Sequence, residues 1–285
     1  MSQVRTRKVV KVVETSVDVQ TTTITGLNTV VNSVVTNMQS DSLKEVIGNE
    51  HKSKQITNVL MSPATLKDSF RKEYKINLDT ISATINGLDK HKAAVIKTMQ
   101  NSIMRVKDES AVQNGLEKII NARDFNTFKQ VVNDTMNKVS VEHTKVFSQN
   151  IAEAVKKASI NVGFKNVEIQ DEASKISIIS QNDLGEAILT EVRVDNDKVD
   201  LVSETIGMQD NSCNLKLNEF DRELERMGIK FKDAKAKWTG GNSWLPKAKE
   251  VEKNMKKKHT EKSMKKKQND IIKRYNKSMN NKLKN

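Results

Sequence analysis

A 285-residue chain with 36% hydrophobic, 4% aromatic and 30% charged residues is poorly supplied for one large enzyme core and favours elongated helical or partly unfolded structure. No apolar run approaches the roughly 18–20 residues of a membrane span, MSQVRTRKVVKVVE lacks the apolar core of a secretory signal, and one cysteine excludes an internal disulfide framework. The expected setting is cytoplasmic, and the formal net charge of +13 is unevenly spread.

Three compositional parts follow from that spread. Residues 1–162 hold 23 Lys and Arg against 16 Asp and Glu, residues 163–246 hold 11 against 16, and residues 247–285 hold 15 against 4. The middle part is therefore acidic and the last part strongly basic. Pro63 and Pro246 mark boundaries.

From the N-terminus, Val10, Val13, Val17, Ile24, Leu27, Val31, Val34 and Met38 recur at alternating spacings of three and four, with Gln20 as a polar miss. Such a seam predicts a coiled-coil-like helix. The Val and Thr content of VETSVDVQTTTIT leaves a strand as the alternative. Ser62-Pro63 then opens a helix along Leu66, Phe70 and Tyr74, with a break expected near Asn77. A long amphipathic helix is expected through Ile81, Ile85, Leu88, Val95, Met99 and Ile103, and a shorter one through Val112, Leu116, Ile119 and Ile120. Asp124 caps another that runs through Phe128 to Val155. Narrow stripes of this kind are buried by a hairpin, a thin bundle or a homo-oligomer.

In the middle part, Phe164–Ile169, Ile176–Ser180, Glu186–Val194 and Val199–Ile206 read as four strands of an antiparallel meander. After Gly207, Asp210 is placed to cap a helix whose stripe is Cys213, Leu217, Phe220, Leu224 and Met227, stopped by Gly228. Trp238 and Trp244 bracket Gly240-Gly241, as in a loop pinned by aromatic anchors. The expected fold is thus α+β: an elongated, coiled-coil-like helical arm or bundle over 1–162, a small α+β module over 163–246 with one covering helix, and a Lys-rich tail over 247–285, helical through Ile272, Tyr275, Met279 and Leu283 or disordered.

Few residues point to chemistry. Cys213, in the first turn of its helix, reads either as a thiol activated by the helix dipole or as the first core residue of the stripe. No histidine stands near it in sequence to serve as its base. His51, His91, His143 and His259 are scattered singly and read as surface histidines, with no zinc-like spacing. Asp195-Asn196-Asp197 lacks the glycine and glutamate of a calcium loop, and Thr239-Gly240-Gly241 lacks the lysine of a P-loop. No metal and no cofactor is expected. The tail carries Lys256, Lys257, Lys258, Lys265, Lys266, Lys267, Lys273 and Arg274. It suits non-specific contact with a nucleic-acid backbone, or else lies solvated or docked on the acidic middle part.

The segment Val199–Gly228, with Gly207, Ser212-Cys213, Leu217, Leu224 and Gly228, resembles a small bacterial and plastid-linked domain of unknown function. The preceding strands and Thr239-Gly240-Gly241 resemble its longer bacterial relatives, so the likeness covers about residues 163–246. It implies association with AAA-type ATPases rather than a defined reaction. The expected function is a non-enzymatic accessory or adaptor that docks a macromolecular partner with Asp210, Ser212, Cys213, Trp238, Gly240, Gly241 and Trp244 as the contact candidates. The alternative is a nucleic-acid-associated structural protein that uses the lysine tail; a thiol-dependent enzyme centred on Cys213 is the third reading.

Overall fold

The computed structural model describes residues 3–13, 24–39, 41–47, 59–81, 85–172, 174–195, 198–208, 212–240 and 242–257. Asp210, Gly241, Lys258, Lys265, Lys266, Lys267, Lys273 and Arg274, together with the expected tail helix, lie outside the described residues.

The first described element overturns the helical arm. Gln3–Val13 is a strand, β1, and it lies inside the main sheet. Its six β-branched residues are stiff at χ1 and suit a pleated surface. The valine spacing that mimics a helical seam carries no energy until neighbours exist, and here the neighbours are strands. A helix follows only after the two-residue β2 (Thr25–Gly26): α1 (Leu27–Thr36) buries Leu27, Val30, Val31 and Val35.

The chain continues through α2 (Asp41–Ile47), β3 (Val59–Met61), α3 (Pro63–Thr80), α4 (Gly87–Gln100), β4 (Arg105–Val106) and α5 (Glu109–Asn121) to α6 (Phe125–Asn161). Local signals account for several of these boundaries. Ser62 accepts the Thr65 N–H at the start of α3, with Pro63 as first helical residue. Asp124 accepts the N–H groups of Asn126 and Thr127, each at 2.9 Å, at the start of α6. The expected break near Asn77 falls three residues later, where α3 ends at Thr80 before α4 begins at Gly87; Asn77 sits in the last turn of α3, and its buried amide donates to Thr98 Oγ1 on α4 at 2.9 Å.

Helix α6, 37 residues long, serves two cores. Its first half contributes Phe128 and Val139 to the apolar cluster of α1–α5, and its second half lays Val146, Phe147, Ile151, Val155 and Ala158 on the sheet. His143 sits at the crossover and is buried rather than exposed. Its Nδ1 accepts the Arg105 N–H at 3.0 Å, which leaves Nε2–H to donate to the Met61 carbonyl at 2.9 Å. One neutral ring thus ties α6 to β3 and β4. Burial holds its pKa below the ordinary histidine value.

The expected meander is present as β5 (Asn166–Glu172), β6 (Lys175–Gln181), β7 (Ala187–Asp195) and β8 (Lys198–Ile206), followed by α7 (Ser212–Arg226). The sheet is not the small one expected. Strand β1 pairs with β8 through Val4–Lys8, and β9 (Ile229–Trp238) lies along the other side of β1. Strand β3 pairs with Lys11–Val13, beyond the end of β8. The product is a seven-stranded antiparallel sheet curled into a half-barrel.

Nor is one helix its only cover. Helices α6 and α7 pack on one face. Residues 246–257 form α8, which covers part of the other face, where Leu245, Ala248 and Val251 meet Val4, Ile179, Leu189, Val202 and Ile206. The buried carboxylate of Glu204 on β8 accepts the N–H groups of Trp244 at 2.6 Å and Leu245 at 2.8 Å, which pins the chain where it turns into α8. Gly228 ends α7 at φ 87, and a Cβ there would collide with the Val13 carbonyl of β1. The glycine that stops the helix thereby lets β9 close on β1.

Arg5 and Arg7 point from β1 towards α7. Arg5 donates to Asp221 at 2.6 Å, to Asn218 at 2.8 Å and to Asn214 at 2.8 Å, while Arg7 donates to the other Asp221 oxygen and to Ser203. Arg7 is 1% exposed, and its guanidinium lies 5.6 Å from the centre of the Phe231 ring. Burial pushes the Arg7 pKa down to about 10, so it stays charged at neutral pH. Asp221→Ala is therefore expected to cost about 3 kcal/mol, since it strands two largely buried cations. Denaturant titration would measure it as a fall in midpoint at constant slope; a loss under about 1 kcal/mol would show that the cations do not depend on Asp221.

The His143 linkage has a defined sign. Because its folded pKa is lowered, the unfolded chain binds the extra proton below about 6.5. The stability it contributes is present above that pH and is lost as the pH falls through the folded value. His143→Gln is expected to flatten that slope, read as the difference between wild-type and variant melting temperatures from pH 7.5 down to 5 (roughly the span of ordinary histidine titration). Parallel curves would rule the linkage out.

Candidate functional site

Strand β9, IKFKDAKAKW, becomes a strand because β1 offers it a full-length partner. Only Ile229 is β-branched, and the segment from Lys235 onward reads as loop when taken alone. Pairing puts Lys232 beside Lys8, Lys235 beside Thr6 and Lys237 beside Val4, all on the face that carries α8. Strict alternation could not keep Lys232 and Lys235 on one side. The register shift between Thr6 and Lys8, with Asp233 at φ 54, supplies the extra residue. A second shift brings Lys11 opposite Lys230.

The far edge of β9 is open. Every residue from Lys232 to Trp238 is exposed, and among the described residues β9 pairs only with β1. Trp238 at its end is 48% exposed and Trp244 beyond the turn is 50% exposed. Neither is the buried anchor expected of it; Leu245 and the Glu204 contacts hold the loop instead. Lys237 Nζ lies 5.3 Å from the centre of the Trp244 ring. Gly240 turns the chain at φ +70, with nothing within 4 Å of the position a Cβ would take.

Trp238, Gly240 and Trp244 are thus brought to one end of β9, beside lysines not singled out from the sequence. Ser212 opens α7 on the opposite face of the sheet, and Cys213 is wholly buried in the core beneath α7. Of the basic candidates, Lys256 and Lys257 are exposed in the last turn of α8, Lys256 paired with Glu252 at 2.7 Å. The alternation of lysines in IKFKDAKAKW was the available signal for the rest of the surface.

A concavity of about 620 Å³ lies between α6 and the β5–β6 hairpin. Val141, Ser140 and Thr144 form its helical wall, Asp171, Glu172 and Lys175 its strand wall, and none of the expected site residues lines it. Among the described residues no three His, Cys, Asp or Glu side chains are grouped to hold a metal ion, and no helix is long and apolar enough to cross a membrane.

Comparison with protein-family models, curated proteins and solved structures yields no match.

The placement of Cys213 has a direct check. A buried thiol reacts only through opening of the fold, so modification by a thiol reagent is expected to be about 10³-fold slower in native buffer than in denaturant. Equal rates would put the thiol at the surface.

Proposed function

We propose that this chain is a non-enzymatic accessory or adaptor protein that docks a macromolecular partner through its sheet, with the free edge of β9 and the Trp238–Trp244 turn as the contact. The observation that carries this reading is the open edge itself, a ten-residue strand with unpaired backbone groups, lysines aligned on one face and half-exposed tryptophans at its end. Such an edge accepts an added strand, with the backbone supplying affinity and alternate side chains the selectivity. The lysines select an acidic segment. An AAA-type ATPase, the partner implied by the resemblance of residues 163–246, would have to offer such a segment.

A second reading has its own support. Helix α8 packs on the same face of the sheet towards which Lys232, Lys235 and Lys237 project. Lys256 and Lys257 are exposed in the last turn of α8, which ends near Gly207, and with the β9 lysines they are basic groups on this side of the sheet. A surface of that kind suits a phosphate backbone.

The two readings separate in one set of titrations, followed by tryptophan fluorescence or anisotropy. An extended peptide of alternating Glu and Val is expected to bind, and Lys232→Glu/Lys235→Glu to weaken it at least about tenfold. Duplex DNA is the comparison probe. Steep loss of DNA binding with salt, and its abolition on truncation after residue 257, would favour the nucleic-acid reading. Truncation at 247 is no substitute, because it strips Ala248 and Val251 from the sheet. No binding of the peptide at any salt concentration would refute the adaptor contact.

A further inference from the structure

The sheet has a second open edge, and its chemistry is the opposite of the first. Strand β5, NVEIQDE, pairs only with β6 among the described residues, and five of its seven residues are exposed. It carries Glu168, Asp171 and Glu172 and no cation. Strand β9 carries four lysines and one aspartate. The middle part of the chain, acidic by composition, is thus sorted by folding into an acidic edge and a basic edge.

Register sharpens the contrast. Following paired residues across the sheet, the row that begins at Glu168 on β5 passes Ile179, Leu189, Glu204 and Val4 and ends at Lys237 on β9. The row from Glu172 passes Lys175, Arg193, Asp200 and Lys8 and ends at Lys232. Paired residues share a face, so Glu168, Glu172, Lys232 and Lys237 all lie on one side of the sheet. Each step across it is antiparallel, and β9 and β5 therefore run in opposite directions.

We infer that two copies of this chain join head to tail, β5 of one against β9 of the next, as one continued antiparallel sheet. It rests on the reading of β9 as a docking strand and names a second copy as its partner. A neighbour placed in register keeps the antiparallel alternation, keeps the faces aligned, and sets Lys237 against Glu168 and Lys232 against Glu172. Pairing β9 with β9, or β5 with β5, opposes like charges instead. Lysines on an edge strand commonly block such pairing; here the block acts only against an edge of the same sign. With β5 only about 23 Å long, the contact falls below the standard interface size of roughly 1,200–2,000 Å², and the association is weak and salt-sensitive.

Sedimentation velocity of the whole chain from about 10 μM to about 1 mM, a range that brackets weak association, tests this at low and high salt. Growth beyond the monomer at low salt is expected, whether the series closes on itself or stays open. Glu168→Lys/Glu172→Lys alone and Lys232→Glu/Lys237→Glu alone should each weaken association at least about tenfold. The chain with all four reversals should regain it, a rescue that misfolding cannot imitate. A monomer throughout, association indifferent to both reversals, or no rescue would overturn the inference. The Glu168→Lys/Glu172→Lys chain separates the two levels, since its β9 is untouched. Peptide binding with no self-association in the wild type removes the inference and leaves the adaptor reading; loss of both removes both.

Discussion

Strand β1 joins β9 and β3 to the four-strand meander, and the Arg5–Arg7–Asp221 cluster fixes the face it turns to α7. A slip of one residue in β1 would carry both guanidiniums to the α8 face and leave Asp221 without its cations. It would also bring Val4 out of the cluster under α8. A charged cluster of this kind adds little net stability compared with an apolar one, but it penalises the wrong register heavily. Everything on the basic side of the sheet inherits that choice. Without β1 in place β9 has no partner, and the lysine face, the Trp238–Trp244 turn and the open edge do not exist.

The helical part is joined to this sheet by shared structure rather than by a linker. Helix α6 puts one half of its length into each core, and His143 bonds backbone from two elements at the changeover. Glu204 plays a comparable part on the other face, where a buried carboxylate is satisfied by two consecutive amides at the entry to α8. Both are polar groups placed in apolar surroundings with their hydrogen bonds satisfied, and each fixes the relation between elements distant in sequence.

What could be read in advance was local. Ser62-Pro63 and Asp124 announce α3 and α6 because a cap is a contact within one turn. The four-strand meander and the stripe of α7 are legible because alternation and the helical period need only neighbouring residues. The place of β1 was hidden for the converse reason. Its valines fit a helical seam as well as a strand, and its partners stand about two hundred residues further on. The part of β9 from Lys235 onward looked like loop because it has almost no strand-forming residues of its own and borrows its conformation from β1. His143 sits in a helix with many polar residues, and nothing nearby signals that its ring is buried. The tryptophans misled in the other direction: large aromatics are usually buried, yet Leu245 holds the turn and both indoles face outward.

The placement of β1 between β8 and β9 also sets the order in which the sheet is built during synthesis. The strand leaves the ribosome well before either long neighbour exists, and at roughly 5–20 residues per second it waits on the order of ten seconds or more for β9. Throughout that interval a valine-rich segment with two unsatisfied edges is exposed to whatever it meets. Closing so long a loop is a slow step, and the central part of the sheet is completed only when the C-terminal strands arrive.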